Sequence, residues 1–331
     1  MSEVLLKDIV AGRELSVIES RNLMLAIGTG GYSNEYLAAL LTALSIRGLS
    51  VDLLDGFSSA ALELATPVNL GDDGLIDLCG TGGDGKGSFN ISTTVAFVLA
   101  GAGYRIAKHG NVGVSSSCGS SNVLEALGIN LSSDEERLKR SLEASGVCFL
   151  HAPLFHPAFK SLAPIRKELG FRTIFNALGP LINPAQISFQ YSGVYSRELQ
   201  RLYSYLLTRR GRNFAVIHSI DGFDEISLTT TARVATKAGL MELSPSNLQS
   251  RRLEPFEIAG AESPRESAKL IEEILGNRSP DGPKACVVAN AAVAAWCYHE
   301  NNGDIREYLE LARESIDSGR ALAVLRRCQE M

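Results

Sequence analysis

The stretch Asp77-Leu78-Cys79-Gly80-Thr81-Gly82-Gly83-Asp84-Gly85, running on through Ser88-Phe89-Asn90-Ile91-Ser92-Thr93, decides the fold. Residues 75–79 form an apolar run that reads as a strand. It empties into a turn that is nearly all glycine, and a hydroxyl-rich helix start follows. Glycine lets backbone N–H groups come close to an anion, and a helix N-terminus adds unpaired donors and a favourable dipole. The stretch reads as a phosphate cradle at the C-terminal edge of a strand, where α/β sheets place their ligands.

Working outward, strands alternate with helices after the linker 66–74. Strands are expected at 75–79, 104–107 and 147–150, with helices starting from Ser92 and Asn122. Strands resume at 190–195 and 214–219, and helices at 284–299 and 305–329 close the chain. Such alternation implies a mostly parallel central sheet covered on both faces. Before the linker, 15–27, 33–46 and 51–64 carry apolar residues at helical spacing, and nothing there reads as a strand. Residues 157–184 turn helical again, over 162–169 and 173–178. The expected fold is α/β, with a small, discontinuous, all-helical N-terminal domain and a larger α/β domain. The first comprises 1–70 with 157–186 returning to it, and the second 71–156 with 187–331.

Two familiar patterns overlap on the Gly-rich turn. Gly80-x-Gly82-x-x-Gly85 matches the dinucleotide fingerprint, but no acid follows until Glu125, where a ribose hydroxyl would need one about 20 residues on. Gly80-x-x-x-x-Gly85-Lys86 resembles a P-loop, yet Gly87 stands where the magnesium-binding Ser or Thr belongs.

A second loop, from Lys108-His109-Gly110-Asn111 to Val114-Ser115-Ser116-Ser117-Cys118-Gly119-Ser120-Ser121-Asn122, follows the next strand. Asn122 with Glu125 three residues later reads as a helix cap. The remaining serines, lysine and asparagine exceed what capping needs. The two loops together suit a ligand with two separated phosphate groups.

Composition bounds the class of ligand. Net charge is −5, from 32 Lys+Arg against 37 Asp+Glu, which argues against a nucleic-acid or polyanion binder. The six cysteines are scattered with no CxxC pair, and several sit in apolar runs, so they read as reduced core residues. The N-terminus lacks a basic start and a long apolar core, and no apolar run reaches spanning length. A soluble cytoplasmic protein is expected. Just past the strand at 214–219 stand Asp224 and Glu225. At the edge of the same sheet they would face the phosphate cradle, where a magnesium ion makes a carboxylate pair welcome.

These motifs resemble one family across nearly the whole chain, anthranilate phosphoribosyltransferase. The resemblance rests on Gly80-Thr81-Gly82-Gly83-Asp84-Gly85, Ser88-Phe89-Asn90-Ile91-Ser92-Thr93, Lys108-His109-Gly110-Asn111 and Gly119-Ser120-Ser121-Asn122-Val123-Leu124-Glu125. His156-Pro157-Ala158-Phe159-Lys160, Pro164-Ile165-Arg166-Lys167-Glu168-Leu169-Gly170, Arg172-Thr173-Ile174-Phe175-Asn176, Leu178-Gly179-Pro180-Leu181-Ile182-Asn183-Pro184 and Asp224-Glu225 continue it in order.

The resemblance implies transfer of a phosphoribosyl group from 5-phosphoribosyl 1-diphosphate to the amine of anthranilate, in tryptophan biosynthesis. It implies that the sugar diphosphate is held by Gly80, Gly83, Asp84, Ser88, Asn90, Ile91, Ser92 and Thr93. From the second loop it adds Lys108, His109, Gly110, Asn111, Val112, Gly113, Val114, Ser115, Ser116 and Ser120. Magnesium, two ions per subunit, is implied at Ser92, Asp224 and Glu225, and anthranilate near Gly80, Asn111 and Arg166. His109, His156 and Pro180 are implied as walls of the anthranilate channel. No residue is assigned as a general base. A homodimer through the helical domain is implied, with no nucleic-acid or membrane partner.

Two positions depart from the family pattern. Val112 and Ser117 stand where many members carry Arg and Lys, removing positive charge beside the diphosphate. The rival readings are a pyrimidine nucleoside phosphorylase, which is generally longer and needs no Asp-Glu metal pair, and a non-catalytic nucleic-acid-binding relative, which would be basic.

Overall fold

The computed structural model describes residues 6–71, 74–113 and 118–331. Among the described residues, four helices come first: Leu6–Val10, Val17–Gly28, Asn34–Arg47 and Val51–Glu63. Three of them begin at a serine. The hydroxyls of Ser16, Ser33 and Ser50 accept the backbone N–H of Glu19, Tyr36 and Leu53, satisfying donors that a helix start leaves open. The apolar faces of these helices, including Leu23, Met24, Leu40, Leu54 and Phe57, bury into one cluster. Leu162 and Ile165 from the helix Leu162–Leu169 share it, with Ile174, Phe175 and part of the helix Arg197–Arg209. At its rim Arg209 pairs with Asp52 at 2.7 Å, and Arg210 pairs with Asp55 at 2.6 Å.

Among the described residues the sheet has seven strands: β1 (Ile76–Asp77), β2 (Ile106–Gly110), β3 (Val147–His151), β4 (Phe189–Gly193), β5 (Asn213–Ser219), β6 (Ala232–Thr236) and β7 (Gly239–Leu243). Their order is β3-β2-β1-β4-β5-β6-β7. The first five are parallel, with Ile76 opposite both Ile106 and Phe189. β6 and β7 add antiparallel at one edge. From β1 the chain builds outward to β2 and β3, then returns to the other side of β1 for β4 and β5. A reversal of this kind opens a crevice at the strand C-termini, beside β1 and β4. The Gly-rich turn leaves β1 at that crevice.

Two nearly all-apolar helices, Ile91–Gly101 and Asp281–Tyr298, form the centre of the larger core. Among the described residues no helix is long and apolar enough to cross a membrane. All six cysteines are free.

The structure differs from the sequence expectation at several elements. β1 is two residues long, Ile76–Asp77, and not the five expected. β2 starts later than expected and contains Lys108 and His109, both buried, instead of leaving them in a loop. The helix expected from Asn122 begins at Ser120, and Asn122 lies inside it. The expected helix 173–178 is a single tight turn, Ile174–Asn176. The expected helix 305–329 is two, Ile305–Asp317 and Arg320–Gln329, broken where Gly319 takes φ 78°. The β6–β7 hairpin was not expected from the sequence.

Candidate active site

Just beyond β1 the backbone of the Gly-rich turn takes positive φ at Gly82 (61°), Gly83 (72°), Gly85 (73°) and Gly87 (63°). Side chains rarely adopt this region, so the run of glycine is a requirement of the path. The Thr81 N–H donates to the Gly193 carbonyl at 2.9 Å, tying the start of the turn to the end of β4. Asp84 then braces both sides of the turn. It accepts the Lys86 N–H at 2.9 Å and the Asp224 N–H at 3.3 Å.

The second loop is pinned at its base. Ser120 Oγ accepts the Asn111 N–H at 3.2 Å and donates to the Asn111 carbonyl at 3.2 Å. Asn122 Oδ1 accepts from Gly113 N–H at 3.0 Å and Gly119 N–H at 3.1 Å. A side chain of the first motif reaches across as well: Asn90 Nδ2 donates to the Cys118 carbonyl at 3.2 Å.

Between the loops lies a cleft of about 780 Å³. Gly80, Gly83, Asp84, Ser88, Asn90, Ile91, Ser92 and Thr93 line it, with Lys108, His109, Gly110, Asn111, Val112, Gly113 and Ser120 from the second loop. Arg166, Asp224 and Glu225 also line it, although they come from distant parts of the chain. Val114, Ser115, Ser116 and the departure at Ser117 lie outside the described residues. Val112 is 40% exposed at the mouth.

Charge in the cleft is concentrated and poorly solvated. Asp224 and Glu225 are buried. Burial raises the Asp224 carboxyl well above its usual range, and the charges of Asp84 and Glu225 push the same way. Glu225 is raised by burial too, against the opposing pull of Lys108 and hydrogen bonds from Ser92. Gly193 explains how Asp224 comes so close: a Cβ there would sit 1.4 Å from the Asp224 carbonyl oxygen. Lys108, 3% exposed, donates to the Leu78 carbonyl and to Ser92 Oγ, the latter at 3.3 Å. Behind it Asp77 is fully buried and accepts the His109 N–H at 3.0 Å; burial pushes its carboxyl up to about 6.

The opposite wall is aromatic. Phe159 and Phe175 line it, their centroids 5.4 Å apart, and the Arg166 guanidinium lies 5.6 Å from the Phe175 centroid. Arg166 Nε is buried without a hydrogen-bond partner among the described residues. His109 Nδ1 donates to the Gly179 carbonyl at 3.0 Å, leaving Nε2 buried without a partner among the described residues. Burial, helped by nearby His156, brings the His109 imidazole down to about 3, so it is neutral at working pH. His156 and Pro180 do not line the cleft. His156 packs one layer back, stacked on Phe159 and donating from Nε2 to the Ile182 carbonyl at 2.9 Å, and Pro180 is likewise buried behind the surface.

Phe159, Phe175 and the segment Gly260-Ala261-Glu262 with Ser267 are cleft residues that sequence reasoning did not assign. Phe159 and Phe175 stand inside the motifs His156-Pro157-Ala158-Phe159-Lys160 and Arg172-Thr173-Ile174-Phe175-Asn176, which is the signal the sequence offers for them. Nothing local to 260–267 points to a site.

The glycosyl transferase family, a/b domain, matches residues 72–322, and the glycosyl transferase family, helical bundle domain, matches residues 4–65. The anthranilate phosphoribosyltransferase of Flavobacterium johnsoniae is 42% identical over 99% of this chain and 99% of its own length. That of Bacteroides thetaiotaomicron is 44% identical over 95% of this chain and 94% of its own. Among solved structures, the Thermus thermophilus anthranilate phosphoribosyltransferase has TM-score 0.91 at 36% identity, over 98% of both chains. The Saccharomyces cerevisiae enzyme in complex with PRPP and Mg has TM-score 0.91 at 27% identity, over 98% of this chain and 96% of that one. Matched from end to end in sequence and in fold, the chain belongs to the anthranilate phosphoribosyltransferase family.

Proposed function

We propose that this protein transfers the phosphoribosyl group of 5-phosphoribosyl 1-diphosphate to the amine of anthranilate, releasing diphosphate. The observation that carries the reading is the convergence, in one cleft, of the Gly-rich turn, the Lys108–Asn111 segment, the carboxyls of Asp224 and Glu225, and Arg166.

The donor set fits magnesium. Asp224, Glu225 and the Ser92 hydroxyl offer only oxygen, and the two carboxyls are buried in a field that disfavours their ionisation unless a cation joins them. Among the described residues no group of three or more His, Cys, Asp or Glu forms a ready-made cage, which suits an ion completed by substrate phosphate oxygens. When bound, magnesium offsets charge on the diphosphate; we assign it to Ser92, Asp224 and Glu225, with two ions per subunit.

The residues divide the work. Backbone N–H groups of the Gly-rich turn and of the helix start at Ile91 would hold phosphate oxygens, with Ser88, Asn90, Thr93 and Lys108 adding side-chain donors. The sugar diphosphate would extend along His109 to Ser116 and Ser120. Arg166 would grip the anthranilate carboxylate in a two-pronged fork, near Gly80 and Asn111. Phe159, Phe175 and His109 give the aromatic ring an apolar berth. The amine then attacks C1 of the ribose as diphosphate departs. Because that amine is a weak nucleophile, positioning and leaving-group stabilisation carry the catalysis. A neutral His109 with so low a pKa makes a poor proton acceptor, so we assign no general base.

We further propose that the helical unit is 1–70 with 157–186, that the α/β unit is 71–156 with 187–331, and that two copies pair through the former in the cytoplasm. Anthranilate fluorescence, followed with the sugar diphosphate and magnesium present, tests the activity. A signal that stays constant with the sugar diphosphate and magnesium both in excess would remove it.

A further inference from the structure

The far arm of the Gly-rich turn is not held by the sheet. A distant segment runs antiparallel beside it: Gly260 N–H donates to the Gly87 carbonyl at 2.6 Å, Phe89 N–H donates to the Ile258 carbonyl at 3.2 Å, and Ser88 bridges Ala259. A few residues on, the helix Pro264–Leu275 packs against the helix Ser120–Ala126 and brings Ser267, 3% exposed, to the cleft that Cys118 also lines. The carbonyl of Cys118 is the group that accepts from Asn90. One stretch of chain therefore touches both the descending arm of the first turn and the entry to the helix Ser120–Ala126.

Gly260 has no freedom to be anything larger. A Cβ there would lie 2.9 Å from the Gly87 carbonyl oxygen and 2.9 Å from that of Ser88. Both neighbours are backbone, so a side chain at 260 must push the turn itself.

We propose that residues 258–267 form a strap that sets the separation of the two donor-lined turns, with Gly260 as a positioning residue for the sugar diphosphate. The inference rests on the reading of the cleft as the site for that ligand. Gly85 and Gly87 leave the arm with many accessible backbone states when it is untethered. Donors that must converge on phosphate oxygens bind well only when held in place beforehand. The two-bond ladder with Ile258 and Gly260 removes that freedom, and the packing of the helix Pro264–Leu275 on the helix Ser120–Ala126 registers the second turn against the first.

The test is calorimetric titration of 5-phosphoribosyl 1-diphosphate with magnesium into the wild-type protein, Gly260→Ala and Ser267→Ala, with steady-state KM measured for both substrates and urea midpoints for all three. Gly260→Ala is expected to weaken the sugar diphosphate about 10- to 100-fold, as misplacement of a binding group does. Ser267→Ala is expected to weaken it about fivefold, the scale of one polar group lost from the cleft wall. The KM for anthranilate stays near wild type in both variants, and the urea midpoint stays near wild type in Ser267→Ala. An unchanged dissociation constant in Gly260→Ala overturns the strap. So does an equal rise in both KM values with a fallen urea midpoint, which would mark general loosening. If Gly260→Ala does not fold, Ser267→Ala decides by the same ratio. Absence of binding to the wild type itself is a separate outcome, which removes the functional reading and the strap with it.

Discussion

Asn290 holds Ile226 by both of its backbone groups. Its Oδ1 accepts the Ile226 N–H at 3.0 Å and its Nδ2 donates to the Ile226 carbonyl at 2.9 Å. Oδ1 also accepts the Tyr191 hydroxyl at 2.9 Å, and Nδ2 also donates to the Cys286 carbonyl at 2.9 Å. The one polar residue at the centre of a buried apolar helix is fully satisfied, and it anchors the residue immediately after Glu225.

Asn290→Ala is therefore expected to be among the most damaging changes outside the cleft. It strands several buried polar groups, at about 1–3 kcal/mol each, so a loss of about 3–5 kcal/mol is expected. Urea denaturation checks it. Activity should fall further than the unfolded fraction accounts for, because the carboxyl pair loses its anchor.

Arg166→Ala should act on one substrate. Losing a charged hydrogen-bonding fork is worth about 2 kcal/mol, or roughly 30-fold, and the KM for anthranilate should rise by that order while the KM for the sugar diphosphate stays close to wild type. Steady-state kinetics with each substrate varied separately distinguishes this from equal damage to both.

Asp224→Asn combined with Glu225→Gln should abolish magnesium-dependent turnover and yet stabilise the metal-free protein at alkaline pH. Both carboxyls are raised above their ordinary values in the fold, first by burial. Their contribution to stability is complete below the unfolded carboxyl range and is lost as pH rises through the folded values. The double variant lacks that loss. Thermal melts at pH 5 and pH 8 in the presence of a chelator check the sign; a variant melting lower than wild type at pH 8 contradicts it.

His109 titrates in the opposite sense. Burial lowers its folded value to about 3, against an unfolded value near 6.5. The resulting stability is complete above the unfolded value and declines as pH falls toward the folded one, by up to about 1.4 kcal/mol per pH unit. His109→Gln should flatten that acid limb between about pH 6 and pH 4. Urea midpoints of the two proteins across this range give the difference directly.

Local chemistry made much of this architecture legible. Ser16, Ser33 and Ser50 are caps readable by eye, and the glycines after β1 announce a path that only glycine follows. Lys108 and His109 misled because polar residues read as loop. In the fold both are strand residues, since Lys108 finds the Leu78 carbonyl and Ser92, and His109 finds Asp77. The β6–β7 hairpin was invisible because its turn around Lys237 and Ala238 lacks an Asn-Gly or Asp-Gly signal, and β6 is rich in alanine, a poor strand former. The break at Gly319 carries its own signal, a glycine at positive φ between two apolar-periodic stretches. Phe159 and Gly260 are separated by about a hundred residues of chain, and only the packed sheet brings both to the cleft.

The near balance of charge on the cleft walls has a kinetic consequence. Among the described residues, Asp84 and Glu262 face Lys108 and Arg166, Val112 adds no cation at the mouth, and burial holds the Asp224 and Glu225 carboxyls back from ionising until a cation joins them. A bare polyanion approaching such walls meets little net attraction. Raising ionic strength at fixed low magnesium should then leave capture of the substrate nearly unchanged, in contrast to the slowing seen where a basic funnel draws an anion in.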